Sequence, residues 1–280
     1  MVVDSLKRPI NFQIANFKET DSKGYLIASF GSTEGKTPSG DLSFYKNKSN
    51  KKQLIGNLSG AMQVEVTDID GDGIQEIIGL FSQANEAINI YNLDEKGQFI
   101  LKSSLRFSPV YGTNSFQLID MNEDGFLDLL VTNGDNDDYS PIFKPYHGIR
   151  LYLNDQQNNF SPTYFYQING ASKVKAADID KDGDIDFVVL AMYPDLFSRP
   201  YETLLYFENI GQFHFKVQYF EAQPSANWML LELADIDHDT DLDIITAANQ
   251  EIGGLMPPAL KQAWLDKEVV AKIYYNKANN

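Results

Sequence analysis

Cysteine is absent from this 280-residue chain, which excludes disulfides, thiolate zinc sites and a cysteine nucleophile. Histidine is scarce, at three residues, and none stands in an H-E-x-x-H pattern. The G-x-G-x-x-G and G-x-S-x-G signatures are missing too. No run approaches 18 apolar residues, and the opening MVVDSLKRPI lacks the apolar centre of a signal peptide. Positive charge is in deficit: 23 Lys and Arg stand against 39 Asp and Glu, for a formal net charge of −16. That balance argues against a nucleic-acid backbone or an anionic membrane surface as partner, and the hydropathy argues against direct membrane insertion. The stretch FGSTEGKT (30–37) approaches a phosphate-binding loop, but three residues rather than four separate its glycines. It also lies between two strands rather than between a strand and a helix, so it reads as a turn.

What is abundant is a repeated acidic phrase. DIDGDGIQE starts at Asp68, DMNEDGFLD at Asp120, DIDKDGDID at Asp178 and DIDHDTDLD at Asp235, at spacings of 52, 58 and 57 residues. Each sits between two runs of β-forming residues, for example AMQVEVT before the first and EIIGLFS after it. A third run follows in each unit (AINIYNLD, IRLYLND, LLYFENIG, KIYYNKAN), and a fourth in the complete ones (QFILKSSLRF, NFSPTYFYQI, HFKVQYFEA). Four short strands per unit of 52–58 residues predict an all-β fold, a β-propeller of four-stranded antiparallel blades. A further unit precedes these. NFKETDSKG, from Asn16, is in register with the others, but Lys18 and Gly24 occupy ligand positions, so this unit is expected to bind no metal.

Five units therefore fill residues 1–280 as a single domain, with the last one ending after its third strand. Two readings of that ending stand. Residues 1–5 complete the last blade, or the chain is a piece cut mid-blade from a longer propeller.

In D-x-D-x-D-G-x-x-D, side chains at positions 1, 3 and 5, a carbonyl at 7 and a carboxylate at 9 converge on one point. The glycine at 6 allows the turn, and hard oxygens select Ca²⁺. The expected sets begin with Asp68, Asp70, Asp72, the Ile74 carbonyl and Glu76, then Asp120, Asn122, Asp124, the Phe126 carbonyl and Asp128. The third is Asp178, Asp180, Asp182, the Asp184 carbonyl and Asp186; the fourth is Asp235, Asp237, Asp239, the Asp241 carbonyl and Asp243. Up to four Ca²⁺ ions would bring the charge from −16 to −8. Thr240 stands where the turn wants glycine, so the fourth site is expected to be strained or weak, and Glu76 adds a methylene to the first. An EF-hand is excluded, because position 12 is apolar or small and β-type runs, not helices, flank the loop.

With these loops and strands, the chain resembles the FG-GAP/VCBS repeat family, the propeller units also found in the integrin α-subunit head and in exported bacterial proteins. The resemblance covers nearly the whole chain. It implies an extracellular, periplasmic or cell-surface setting and a binding role.

Longer insertions are expected at the other end of the blades, where loops on a rigid scaffold carry function. They offer Tyr139, Lys144, Tyr146, His147, Arg150, Arg199, Tyr201 and Trp228 as candidate ligand-binding residues for a protein or a carbohydrate. The expected function is a calcium-stabilised binding module. The alternatives are a polysaccharide lyase-like enzyme, using His147 or Tyr146 with Lys144 or Arg150, and a purely architectural domain.

Overall fold

The computed structural model describes residues 6–17, 22–32, 39–47, 51–83, 86–136, 142–221, 224–248 and 256–277. Residues 1–5, Lys18 and Tyr139 lie outside the described residues. The first sheet holds β1 (Pro9–Phe17), β2 (Ser22–Ser32), β3 (Ser39–Lys46) and β4 (Lys52–Gly56). The second holds β5 (Ala61–Thr67), β6 (Glu76–Phe81), β7 (Ala87–Leu93) and β8 (Phe99–Arg106). The third comprises β9 (Thr113–Ile119), β10 (Asp128–Asn133), β11 (Gly148–Asn154) and β12 (Phe160–Gln167). The fourth comprises β13 (Ala171–Ala177), β14 (Asp186–Ala191), β15 (Leu204–Asn209) and β16 (Phe215–Tyr219). The last has β17 (Trp228–Ala234), β18 (Asp243–Ala248) and β19 (Ala271–Tyr274), three strands among the described residues.

Each sheet is an antiparallel meander with its strands in sequence order, so each repeat makes one propeller-type blade. The all-β, five-unit architecture expected from the sequence is the one observed.

The strand sequences explain their places. EIIGLF, DLLVTN and DFVVLA are second strands buried along their whole length, as continuous apolar runs require. The fourth strands FILKSSLR and FSPTYFYQ alternate half-buried and exposed residues, as an outer strand should.

The chain divides into two compact units, residues 1–113 with 123–127 and 154–161, and residues 114–122 with 128–153 and 162–280. In the first unit the core gathers Phe17, Leu26, Leu42, Phe44, Val64, Ile77 and Phe81. Phe17, Phe44 and Phe99 meet edge to face there, with centroids 5.7–5.8 Å apart. In the second unit Phe187 stacks on Phe207 at 4.6 Å and meets Phe215 at 4.8 Å. A neighbouring cluster there is built on Trp228 with Val188, Leu190 and Ile244. Truncating a buried ring such as Phe187 to Ala would cost about 3–5 kcal/mol.

Between β18 and β19 stands a helix, α1 (Pro258–Lys267). Pro258 supplies the pre-set φ of a first helical residue, and Glu268 in the left-handed region ends the helix with its N–H on Trp264 O at 3.1 Å. Only Trp264 of this helix is buried, its indole donating to Pro224 O at 2.7 Å.

Candidate metal-binding loops

Antiparallel pairing places the loop between first and second strands at one end of a sheet, and the loop between second and third strands at the other. The acidic motifs fill the first kind. Thr67 pairs with Glu76, Ala177 with Asp186 and Ala234 with Asp243, so position 9 opens the second strand each time. In the first sheet the same register pairs Ala15 with Gly24, and pairing then continues to Phe17 and Ser22, closing a hairpin where the others open a loop. A Cβ on Gly24 would stand 2.2 Å from Tyr45 O, so no carboxylate fits at that position.

Three side-chain bonds shape the acidic loops. The position-1 carboxylate accepts the N–H of position 6, from Gly73 at 2.8 Å, Gly183 at 3.2 Å and Thr240 at 3.1 Å. Position 5 accepts the N–H of position 7, with Asp72, Asp124, Asp182 and Asp239 holding Ile74, Phe126, Asp184 and Asp241 at 2.8–3.0 Å. Position 9 reaches back to the N–H of position 2, with Glu76, Asp128, Asp186 and Asp243 bonding Ile69, Met121, Ile179 and Ile236 at 2.9–3.2 Å. All four position-9 carboxylates are fully buried.

The backbone is left-handed at two places. Position 6 is so at Gly73, Gly125, Gly183 and Thr240, and position 4 at Gly71, Glu123, Lys181 and His238. At Gly73, Gly125 and Gly183 a Cβ would meet nothing within 4 Å, so glycine is wanted there for its φ and not for space. Thr240 fits sterically and carries a φ of 77°.

In two loops the carboxylates of positions 1, 3 and 9 converge: Asp68, Asp70 and Glu76, and likewise Asp178, Asp180 and Asp186, each set offering oxygens within 4.8 Å of one another. The fourth loop gathers Asp235, Asp237 and Asp239 instead, without Asp243. In the second loop Asn122 stands at position 3, so positions 1, 3 and 9 carry two carboxylates.

Such crowding of like charge is costly without a counter-ion. Burial pushes the Glu76 carboxyl from 4.5 up to about 7. Burial raises Asp186 as well, and burial with the charge of Asp186 raises Asp180. Asp70 Oδ1, Asp178 Oδ1 and Asp235 Oδ1 are buried with no hydrogen-bond partner among the described residues. Converging oxygen donors with an unsatisfied oxygen, in the first, third and fourth loops, fit a hard divalent cation.

Supporting residues that the motif does not name recur in the third strands. Asn92 donates its side-chain amide to Glu76 Oε1 at 3.0 Å, and Asn209 and Asn276 give backbone N–H groups to Asp186 and Asp243 at 2.8 and 2.9 Å. Asn154 donates to Leu127 O at 3.2 Å. Some of these amides also tie one blade to the preceding loop: Asn154 reaches Ile69 O at 3.5 Å, and Asn276 reaches Ile179 O at 2.7 Å. Tyr206 adds its hydroxyl to Asp186 Oδ2 at 2.8 Å. Asn at the end of strands ending YN, YLN, EN and YYN was the available sequence signal.

The candidate ligand-binding residues divide. Trp228 is 1% exposed and belongs to the core, so it is corrected from a surface residue to a packing one. His147 is 1% exposed, with its ring edge-on to Tyr146 at 5.7 Å. Arg150 is buried too, bonding Asn133 Oδ1 and Tyr146 O at 2.6 Å each and lying over the Phe165 ring at 4.3 Å. Those bonds consume the guanidinium in holding its own loop. Lys144 and Tyr146 are half-buried.

Arg199, with an exposed side chain, meets Glu202 Oε1 at 3.2 Å and Gln167 Oε1 at 3.3 Å, and Tyr201 packs on Tyr219 at 4.6 Å. A cavity of about 410 Å³ lies elsewhere, beside the third and fourth acidic loops, lined by Ile179, Tyr206, Phe220, Leu242, Ile244 and Tyr274 among others.

Residues 68–131 match the family model described as FG-GAP-like repeat. No curated protein matches the chain. Among solved structures it is similar to a GH32 β-fructofuranosidase of Bombyx mori, at 11% identity and TM-score 0.46, over 79% of this chain and 52% of that one. The chain thus spans about half the length of that structure. It is also similar to a protein from Lactobacillus plantarum (9% identity, TM-score 0.46, 88% and 79% covered). A levansucrase variant from B. megaterium is a third (9%, 0.35, 86% and 77%). Among the described residues no helix is long and apolar enough to cross a membrane.

Proposed function

We propose that this chain is a calcium-stabilised β-propeller module that binds a protein or carbohydrate ligand in an extracellular, periplasmic or cell-surface setting. The observation that carries the calcium reading is the convergence of three carboxylates in each of three loops, with one buried oxygen in each lacking a donor. Asp68, Asp70 and Glu76 would hold one ion, Asp178, Asp180 and Asp186 another, and Asp235, Asp237 and Asp239 a third, with Asp120, Asn122, Asp124 and Asp128 offering a fourth set. Bound calcium supplies charge neutralisation and a rigid loop, not reaction chemistry. The chain's own residues do the rest: position-9 carboxylates pin the loop start, and the third-strand asparagines fasten the loop to the blade.

Recognition is assigned to the opposite loops, where Arg199 and the Tyr201–Tyr219 pair offer a cation beside aromatic faces. The lyase-like alternative needs a base and a cation free to meet substrate, and the burial of His147 and Arg150 does not favour it. A glycan array and native mass spectrometry, with wild type and the Arg199→Ala, Tyr201→Ala double variant, test the binding role. Loss of a captured ligand in the variant supports it. Unchanged capture, or none in either experiment, contradicts it.

A further inference from the structure

The first acidic loop differs from the third in what surrounds position 3. Lys102 on β8 donates its ammonium to Asp70 Oδ2 at 2.8 Å, and Asn158 donates its side-chain amide to the same oxygen at 2.8 Å. Asn158 is fixed in turn. It is fully buried, its N–H bonds Asn154 Oδ1 at 3.1 Å, and its carbonyl accepts Ser103 Oγ at 2.8 Å. Meanwhile Asp70 Oδ1 stays buried and without a donor among the described residues. One oxygen of this side chain is thus saturated by an internal cation, and the other faces the cage.

The third loop has no such arrangement. Lys102 is the extra residue of a bulge in β8, between Leu101, which pairs with Tyr91, and Ser103, which pairs with Ile90. In β16 Val217 and Gln218 pair with Phe207 and Tyr206 without an extra residue, and the Gln218 amide turns to Glu208 Oε2 at 2.7 Å. Asp180 accepts the Asp182 N–H at 3.3 Å and has no ion pair with lysine among the described residues.

We propose that Lys102 is a tethered cation for the first loop. It holds Asp70 in its ligand position when no metal is bound, opposes entry of a divalent ion, and so ranks the first loop below the third in calcium affinity. This rests on the calcium reading above. An ammonium 2.8 Å from Asp70 Oδ2 draws on the charge that the carboxylate would offer through Oδ1 and repels the incoming ion. Asn158 keeps the carboxylate aimed when the ammonium leaves.

The test uses the full chain. Lys102→Met should lower the melting temperature in chelator yet raise the calcium affinity of the first loop, by calorimetric titration, about tenfold. That opposite pair of signs is what a merely structural lysine would not produce. Lys102→Arg should stay near wild type, and adding Asp68→Asn to Lys102→Met should remove the gain.

A second readout needs no variant. Acylation of Lys102, followed by peptide mass spectrometry, should be slow in chelator and several-fold faster with calcium. Wild type that binds calcium while Lys102→Met shows no gain, or Lys102 labelling indifferent to calcium, overturns the inference and leaves the calcium reading standing. Wild type that takes up no calcium overturns both.

Discussion

The third and fourth acidic loops share a motif, a register and a unit, yet they assemble different carboxylates. In the third, position 9 joins positions 1 and 3; in the fourth, positions 1, 3 and 5 gather and Asp243 stays out. Asp186 accepts three bonds, from Ile179 N, Tyr206 Oη and Asn209 N, whereas Asp243 accepts from Ile236 N and Asn276 N. The fourth loop also carries Thr240 at a left-handed position, and Lys181 of the third loop crosses to it, bonding Thr240 Oγ1 at 2.9 Å and Asp241 Oδ1 at 2.5 Å. A ligand motif therefore fixes which oxygens are present. The surrounding bonds decide which of them converge.

The largest difference expected between the two loops comes from deleting position 9. Asp186→Ala leaves three donors without their acceptor, two of them buried, and should destabilise by about 3–5 kcal/mol, against about 2–3 kcal/mol for Asp243→Ala with two part-buried ones. Equal losses in denaturant titrations would break the comparison.

Acidity sharpens it next. Glu76, which plays Asp186's part in the first loop, is raised from 4.5 to about 7, and Asp186 is shifted the same way. The folded metal-free protein binds these protons more tightly than the unfolded chain. The contribution of Glu76 is therefore full below about pH 4.5 and is lost as pH rises through about 7, and that of Asp186 is lost in the same direction. Melting in chelator should fall across that window for wild type and flatten for Glu76→Gln; a melt rising with pH there would contradict the shift.

The smallest effect concerns the turn. Thr240→Gly should stabilise by about 1 kcal/mol, and Gly183→Ala should cost about 1–2 kcal/mol through φ alone, since the added methyl meets nothing. A destabilising Thr240→Gly would show that the hydroxyl's bond to Lys181 outweighs the strain.

Blade boundaries were legible because apolar runs such as EIIGLF and DFVVLA can be buried in only one kind of place, flanked by acidic turns. The crowding of carboxylates from positions 1 and 3 was legible for the same reason, as spacing in a tight loop dictates direction. The left-handed position 4 was not, because Gly71, Glu123, Lys181 and His238 share no residue type. Long-range partners were hidden as well: Lys102 lies 32 residues from Asp70 and Asn158 lies 88 away. Trp228 and Arg150 misled because an aromatic or a cation near a loop reads as surface until its packing is known. The helix at Pro258–Lys267 lies in a long insertion, and proline at its start, ordinary for a first helical residue, reads equally well as a turn.

The central claim is that the acidic loops are cation cages that fasten the blades, and thermal unfolding in chelator and in excess Ca²⁺ tests it most directly. At free calcium about 100-fold above the dissociation constant, each cage should add about 2.7 kcal/mol, seen as a higher melting temperature that chelator reverses. A melt identical in chelator and in calcium would contradict the account.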